Sequence, residues 1–180
     1  MSQAAQQLSY TGTLVYLRGD QLSTLKIIRR QQGQQLQERL YTLDGVQREI
    51  IKNGEETRCL LPKDESLVVE SQLAQGFLPQ LELQQWRLLE SAYDIELLST
   101  GRVAGVSSQI IGIHSKDHSR YDYELWLEQD TGLLLRMKMY DPQTREVLRQ
   151  MSFTELNLGA AITDQALQRS HQLADYIVLP

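Results

Sequence analysis

Turn signals recur along this chain about every ten to twelve residues, a spacing that leaves no room for a fold of long helices. They are Arg18-Gly19-Asp20, Gln32-Gly33, Asp44-Gly45, Asn53-Gly54, Pro62-Lys63-Asp64, Gly101, Gly105, Asp117-His118-Ser119, Asp130-Thr131-Gly132 and Asp141-Pro142. Asn53-Gly54 and Asp44-Gly45 are the strongest, because Asn or Asp followed by Gly supplies the positive-φ pair that a two-residue hairpin turn demands. Between the turns, apolar and polar residues alternate with period two. The segments are 12–18, 24–30, 35–43, 48–52, 57–61, 66–70, 95–102, 107–114, 121–128, 133–140 and 146–156. Such neighbours in sequence run as an antiparallel meander. A sheet of that many strands must curl and be covered, since wide flat sheets are uncommon. The expectation is a mainly β, α+β domain: a large curved antiparallel sheet with a few helices.

Three segments break the alternation. Residues 2–9 are rich in Ala and Gln and read as helical. Residues 71–92 form the long interruption: Pro79 suits a helix first turn, and Leu78, Leu81, Trp86 and Leu89 share one helical face. This segment is expected to pack on the concave side of the sheet. Thr163 can N-cap a helix running to Leu173, with Asp164 favourable in its first turn. The β-rich body therefore spans about 10–158, and 160–180 holds a terminal helix and an apolar run that reads as the start of a linker.

The chain has 180 residues, enough for one domain with a sizeable core. At 41% hydrophobic and 23% charged it is globular in composition, which excludes disordered and collagen-like classes. No apolar run approaches the length of a membrane-spanning helix. The net charge of −5 repels phosphate, so nucleic acid is not the expected partner. The 22 glutamines are scattered, and so read as solvated surface. The single cysteine, Cys59, excludes an internal disulfide and a cysteine-based zinc site, and its strand-like neighbours make it a packed thiol. Met1-Ser2-Gln3 begins no charged and apolar leader, which fits either a cytoplasmic protein or one whose signal peptide has been removed.

The search for catalytic groups finds little. His114, Asp117, His118 and Ser119 fall within one short loop, whereas a hydrolytic triad converges from different elements with its nucleophile on a strained turn. The spacing of His114 and His118 joins two imidazoles on a metal only when it lies on a helix, which this loop is not expected to be, and no third ligand is evident. His171 stands alone. No glycine-rich phosphate loop follows a strand. These observations point away from an enzyme and imply no cofactor and no metal. Lys26, Arg29 and Arg30 form a small basic cluster, read as an exposed strand end, with docking of an acidic partner as the alternative.

Apolar alternation says more. Tyr121, Tyr123, Leu125 and Leu127 lie on one face of a strand, and Leu133, Leu135, Met137 and Met139 on one face of the next. Asp122, Glu124, Glu128, Arg136 and Lys138 occupy the opposite faces. One face is thus expected dry and the other wet. The dry face is either plain core or the wall of a cavity, where flexible Met beside Leu and Tyr suits an acyl chain. The candidate ligand-binding residues are Tyr123, Leu125, Leu127, Leu133, Leu135, Met137 and Met139.

Several blocks also resemble a known family. They are Tyr10-x-Gly12-Thr13-x-Val15-Tyr16-x-Arg18-Gly19, Glu38-Arg39-Leu40 and Leu43-Asp44-Gly45-x-x-Arg48-Glu49, then Arg102-Val103-Ala104-Gly105, Arg120-Tyr121-x-Tyr123-x-Leu125-Trp126-Leu127, Thr131-Gly132-Leu133-Leu134 and Phe153-Thr154. In this order they resemble the N-terminal domain of the RseB/MucB family. The resemblance implies a periplasmic regulator of the sigma-E or AlgU envelope-stress sigma factor. It would bind the periplasmic domain of an anti-sigma factor (RseA or MucA) and shield it from the site-1 protease. It further implies a fold like the LolA/LolB carriers, a half-open β-barrel covered by helices around an apolar cavity that takes lipid or lipopolysaccharide fragments, without stable membrane insertion. On that reading residues 1–180 are a single lipid-binding domain, and the family's smaller C-terminal domain is absent. The alternative on the same fold is a lipoprotein or lipid carrier of the LolA/LolB type.

Overall fold

The computed structural model describes residues 7–54, 56–62, 91–168 and 176–179. Eleven strands are present: β1 (Tyr10–Arg18), β2 (Gln21–Gln32), β3 (Gln35–Thr42), β4 (Glu49–Asn53), β5 (Glu56–Pro62), β6 (Tyr93–Val103), β7 (Val106–Ser115), β8 (Asp122–Glu128), β9 (Leu134–Tyr140), β10 (Val147–Leu158) and β11 (Tyr176–Leu179). They form one open sheet in the order β11-β5-β4-β3-β2-β1-β10-β9-β8-β7-β6. Ten of the eleven strand segments expected from alternation are found. The expected strand at 66–70 lies outside the described residues, as do residues 2–6 of the helix expected at 2–9 and residues 71–90 of the one expected at 71–92; residues 7–9 are not helical, whereas 91 and 92 are. The apolar run near the end of the chain, read above as a linker, instead pairs antiparallel with β5, from Tyr176 opposite Pro62 to Leu179 opposite Cys59.

The expected turns form where glycine permits them. Gly45, Gly54 and Gly132 adopt φ of 63°, 61° and 72°, a region an L side chain rarely enters. The helix α1 (Asp164–Leu167) begins as expected at Thr163, whose Oγ1 accepts from the Ala166 N–H at 3.3 Å. It ends at Gln168, far short of Leu173. No described helix is long and apolar enough to cross a membrane.

The chain divides into two compact units, and β1, β2 and β10 run through both. The first contains β3, β4, β5, β11, α1 and most of β2. Its core joins Tyr10, Leu14, Leu25, Ile27, Ile28, Leu40 and Leu167. Charged residues share that interior. Arg29 lies opposite Glu38 in the ladder and donates to it at 3.0 Å, with both side chains about nine-tenths buried. On the other face Arg39 donates to Glu49, whose side chain is 1% exposed. Arg39 also stacks on the Tyr41 ring at 4.5 Å and donates to the Ala166 carbonyl at 3.0 Å. Arg30 reaches the Ile162 carbonyl and the Asp164 carboxylate at 3.1 and 2.6 Å. Two arginines thus hold the α1 segment by its backbone and first turn.

This corrects the reading of Lys26, Arg29 and Arg30 as an exposed basic strand end. Arg29 is buried against Glu38, Arg30 is held by Gln37, Ile162 and Asp164, and Lys26 pairs with Glu155 at 3.3 Å. The acids that neutralise them come from other strands and from α1, which alternation along one strand does not reveal.

The second unit contains β6, β7, β8, β9 and most of β10. Val103, Ile113, Leu125, Trp126, Leu133, Leu134, Leu135, Met151 and Phe153 are its buried apolar residues. It carries the candidate site.

Candidate functional site: an apolar row across five strands

Antiparallel partners directly opposite one another put their side chains on the same face. Following the register therefore traces each face of this unit. Leu97 lies opposite Ile111, Ile111 opposite Leu125, Leu125 opposite Met137 and Met137 opposite Met151. The adjacent row runs through Ile95, Ile113, Tyr123 and Met139 and ends on Arg149. Five strands thus build one apolar face, nine residues of which stand in two aligned rows. Burial along the first row is uneven: Leu97 is 74% exposed, Ile111 half-buried, Leu125 8% exposed, Met137 half-buried again and Met151 3% exposed. Arg149 lowers the Tyr123 phenol somewhat, but burial and the neighbouring phenols of Tyr93 and Tyr121 dominate and push it up.

The structure sets Tyr123, Leu125, Met137 and Met139 in the arrangement the alternation implies. It treats the leucines differently. A β-bulge makes Leu127 face Leu134, while Trp126 faces Arg136, leaving Leu135 as the extra residue. Leu133, Leu134 and Leu135 are all buried, so the alternation on which Leu133 and Leu135 were grouped with the methionines ends at the bulge. The sequence reading missed Ile95, Leu97, Ile111, Ile113 and Met151. The spacings Ile95-x-Leu97 and Ile111-x-Ile113 carried the same period-two signal.

The opposite face corrects the expectation of a wet surface. Asp122, Trp126 and Glu128 are 4%, 8% and 8% exposed, whereas Tyr121, placed on the dry side, is 48% exposed. Trp126 is roofed by Arg136 and Lys138, whose cationic groups sit 5.3 and 5.4 Å from its ring. Gly101 makes the close approach possible from the other side, because a Cβ there would stand 3.2 Å from the indole. Arg136 is further held by the Ser152 hydroxyl at 3.0 Å.

The buried carboxylates are satisfied rather than free. Asp122 accepts from the Ser115 N–H at 2.8 Å and from Arg145, and His114 Nδ1 lies 3.2 Å away. Burial alone would raise its pKa, but these hydrogen bonds and the His114 and Arg145 charges outweigh it and hold the carboxyl below the ordinary range. The imidazole lies across Gly112 and reaches Glu96 at 3.1 Å with Nε2, and a Cβ on Gly112 would collide with that nitrogen. Glu128 binds its own turn, accepting from the Asp130 N–H and from both the N–H and the hydroxyl of Thr131. Burial opposes its ionised form, and these three hydrogen bonds prevail, so its pKa also falls.

The loop holding His114, Asp117, His118 and Ser119 contains no triad. Asp117 accepts from the Ser119 hydroxyl and N–H, from the Ser115 hydroxyl and from Arg120, which drives its pKa far down. Ser119 is thereby a donor that closes a turn on Asp117. The described residues border open grooves. One of about 540 Å³ is bordered by Tyr93, His118, Arg120, Tyr121, Asp141 and Gln143, and one of about 250 Å³ by Arg30, Gln37, Lys52, Asp164 and Leu167. Neither is lined by the seven residues proposed from the sequence. Among the described residues no three His, Cys, Asp or Glu side chains converge as metal ligands.

Comparison with known proteins bears on these features. A family model described as the MucB/RseB N-terminal domain matches residues 1–171. The AlgU regulatory protein MucB of Pseudomonas aeruginosa is 33% identical over 169 residues, which cover 93% of this chain and 52% of that protein. The sigma-E regulatory protein RseB of Salmonella typhimurium is 28% identical over 157 residues, 86% of this chain and 49% of that one. The chain thus spans about half the length of the curated relatives it matches, and both are named as regulatory proteins. A crystal structure of MucB superposes with a TM-score of 0.79 at 32% identity, over 98% of this chain and 61% of that one. A crystal structure of MucB in complex with MucA(peri) superposes at 0.77 and 30% identity, over 98% and 58%.

Proposed function

Given that the chain belongs to the MucB/RseB N-terminal domain family, we propose that it works as a sensor domain that holds the periplasmic part of an anti-sigma factor of the MucA or RseA kind and shields it from the site-1 protease. The observation that carries this reading is the match, over 98% of this chain, to a relative solved as a complex with MucA(peri). On this reading the protein is periplasmic and acts by binding, without chemistry of its own. The apolar rows on β6 to β10 add a second part. Of the candidate residues, Tyr123, Leu125, Met137 and Met139, which stand in these rows, take an acyl chain of a lipid or lipopolysaccharide fragment, whose arrival loosens the grip on the anti-sigma factor. What supports it is the partial exposure of Leu97, Ile111 and Met137 along one apolar row, together with two unbranched methionines that can re-pack around a flexible ligand.

Protease protection tests the first part. A purified MucA periplasmic segment is digested with the site-1 protease in the presence of this chain or of full-length Pseudomonas aeruginosa MucB. Protection by both is expected, and at lower concentration by the longer protein if its additional length adds contact. No binding of this chain at any concentration would sink the reading. For the second part, displacement of a fluorescent fatty-acid probe is compared for the wild type, Met137→Gln and the exposed Glu146→Gln. The probe should bind the wild type and Glu146→Gln alike and Met137→Gln about tenfold more weakly, the effect of replacing the apolar thioether end of the side chain with a polar amide. Absence of probe binding to the wild type would mean the rows are ordinary core.

A further inference from the structure

The strand β6 ends the sheet order, so its outer side has no strand beside it among the described residues. Its 11 residues present roughly 35 Å of edge. Edges of this length are ordinarily blunted by Pro, by Lys, by a bulge or by a cover, because unpaired N–H and C=O groups are a template for another strand. β6 contains neither Pro nor Lys. Its bulge falls between Leu97 and Thr100, which leaves the register from Tyr93 opposite Ser115 to Leu97 opposite Ile111 regular. That stretch is exposed at alternate positions and ends on Leu97, 74% exposed.

The side chains of this stretch specify what fits beside it. Ile95 and Leu97 belong to the apolar face, and Asp94 and Glu96 point to the other. Both acids face solvent, at 75% and 57% exposure, with Lys116 at 3.8 Å from Asp94 and His114 at 3.1 Å from Glu96. Each carboxylate retains acceptor capacity beyond one such contact. We propose that residues 93–97 of β6 accept an extended segment of a partner polypeptide as an added antiparallel strand, one in which apolar and basic residues alternate. Backbone hydrogen bonds supply the affinity, and the apolar-and-acidic alternation of β6 supplies the register. A second copy of this chain is a poor occupant, since antiparallel self-pairing centred on Ile95 sets Asp94 of one copy against Glu96 of the other. The proposal stands apart from the anti-sigma reading, because it names the chemistry of the segment and not its owner.

The probes are three capped peptides: one alternating Val and Lys, one alternating Val and Glu, and the Val–Lys peptide N-methylated at every second amide. The Val–Lys peptide should bind and slow amide hydrogen exchange at residues 93–97. The Val–Glu and N-methylated peptides should each bind at least about tenfold more weakly, as expected from two reversed charge pairs or from lost strand pairing. Leu97→Lys, at a solvent-exposed position, should lower Val–Lys affinity while leaving the thermal midpoint in place, and Asp94→Lys with Glu96→Lys should invert the preference between the charged peptides. Equal binding of the N-methylated peptide, protection appearing away from β6, or no binding of the Val–Lys peptide would each overturn the proposal. So would self-association of the chain that Leu97→Lys abolishes, because the occupant would then be a second copy.

Discussion

The hairpins β2–β3 and β8–β9 have the same topology and solve the problem of charge in opposite ways. In β2–β3 charge goes inside: Arg29 faces Glu38 beside Ile27 and Leu40, and Arg39 on the reverse face reaches Glu49. In β8–β9 one face is apolar across five strands, and the cations Arg136 and Lys138 sit over the Trp126 ring. The first hairpin depends on partners at fixed positions. The second keeps directional partners for Asp122 and Glu128 on one face and depends on area on the other, which is non-directional and tolerant. A hairpin held by directional pairs suits a scaffold, and one held by area suits an adaptable surface.

The comparison breaks most severely at Glu49. Replacing it with Ala leaves Arg39 largely buried without its carboxylate and should cost about 3–5 kcal/mol, read from the urea midpoint. Replacing both partners, Arg39→Met with Glu49→Leu, should restore most of that stability, because the desolvation cost leaves with the charges. A loss below about 1 kcal/mol for Glu49→Ala would show that the pair is not what holds the hairpin.

Asp122 tests whether the second hairpin has any such dependence. Asp122→Ala strips the acceptor from the buried Ser115 N–H and should cost about 2 kcal/mol. Its pH dependence has a definite sign. The folded pKa lies below the ordinary carboxylate value of about 4, so the stabilisation is complete above that value and is lost as pH falls through the folded one. Thermal midpoints of the wild type and Asp122→Ala should differ by a constant amount at neutral pH and converge in acid. A gap that widened on acidification would reverse the assignment.

Within the apolar row the comparison sharpens on two methionines that face each other. Met151→Gln buries an amide and should cost about 2 kcal/mol, whereas Met137→Gln, half-buried, should cost under about 1 kcal/mol. Equal losses at the two positions would mean that the row is uniformly sealed. At the open end, Leu97→Ala should change stability by less than about 0.5 kcal/mol.

Period-two alternation and turn chemistry were enough to locate ten strands, because both are local: the pleat repeats every second residue, and a positive φ is a property of one residue. The same signal put Tyr123 and Leu125 on one face of a strand and Met137 and Met139 on one face of the next. What alternation could not carry was anything set by a third strand or by a change of register. The bulge beside Leu127 shifts the leucines by one position. Asp122 is buried because Ser115, His114 and Arg145 come from β7 and the β9–β10 turn to meet it. The family could be read from the sequence alone, since its blocks are residues in order. The apolar row could not, because it exists only once the register aligns Leu97, Ile111, Leu125, Met137 and Met151 across five strands separated by 54 positions of chain. Side-chain type and spacing determined which residues could face an apolar surface, and hydrogen-bond register between distant strands decided which of them meet.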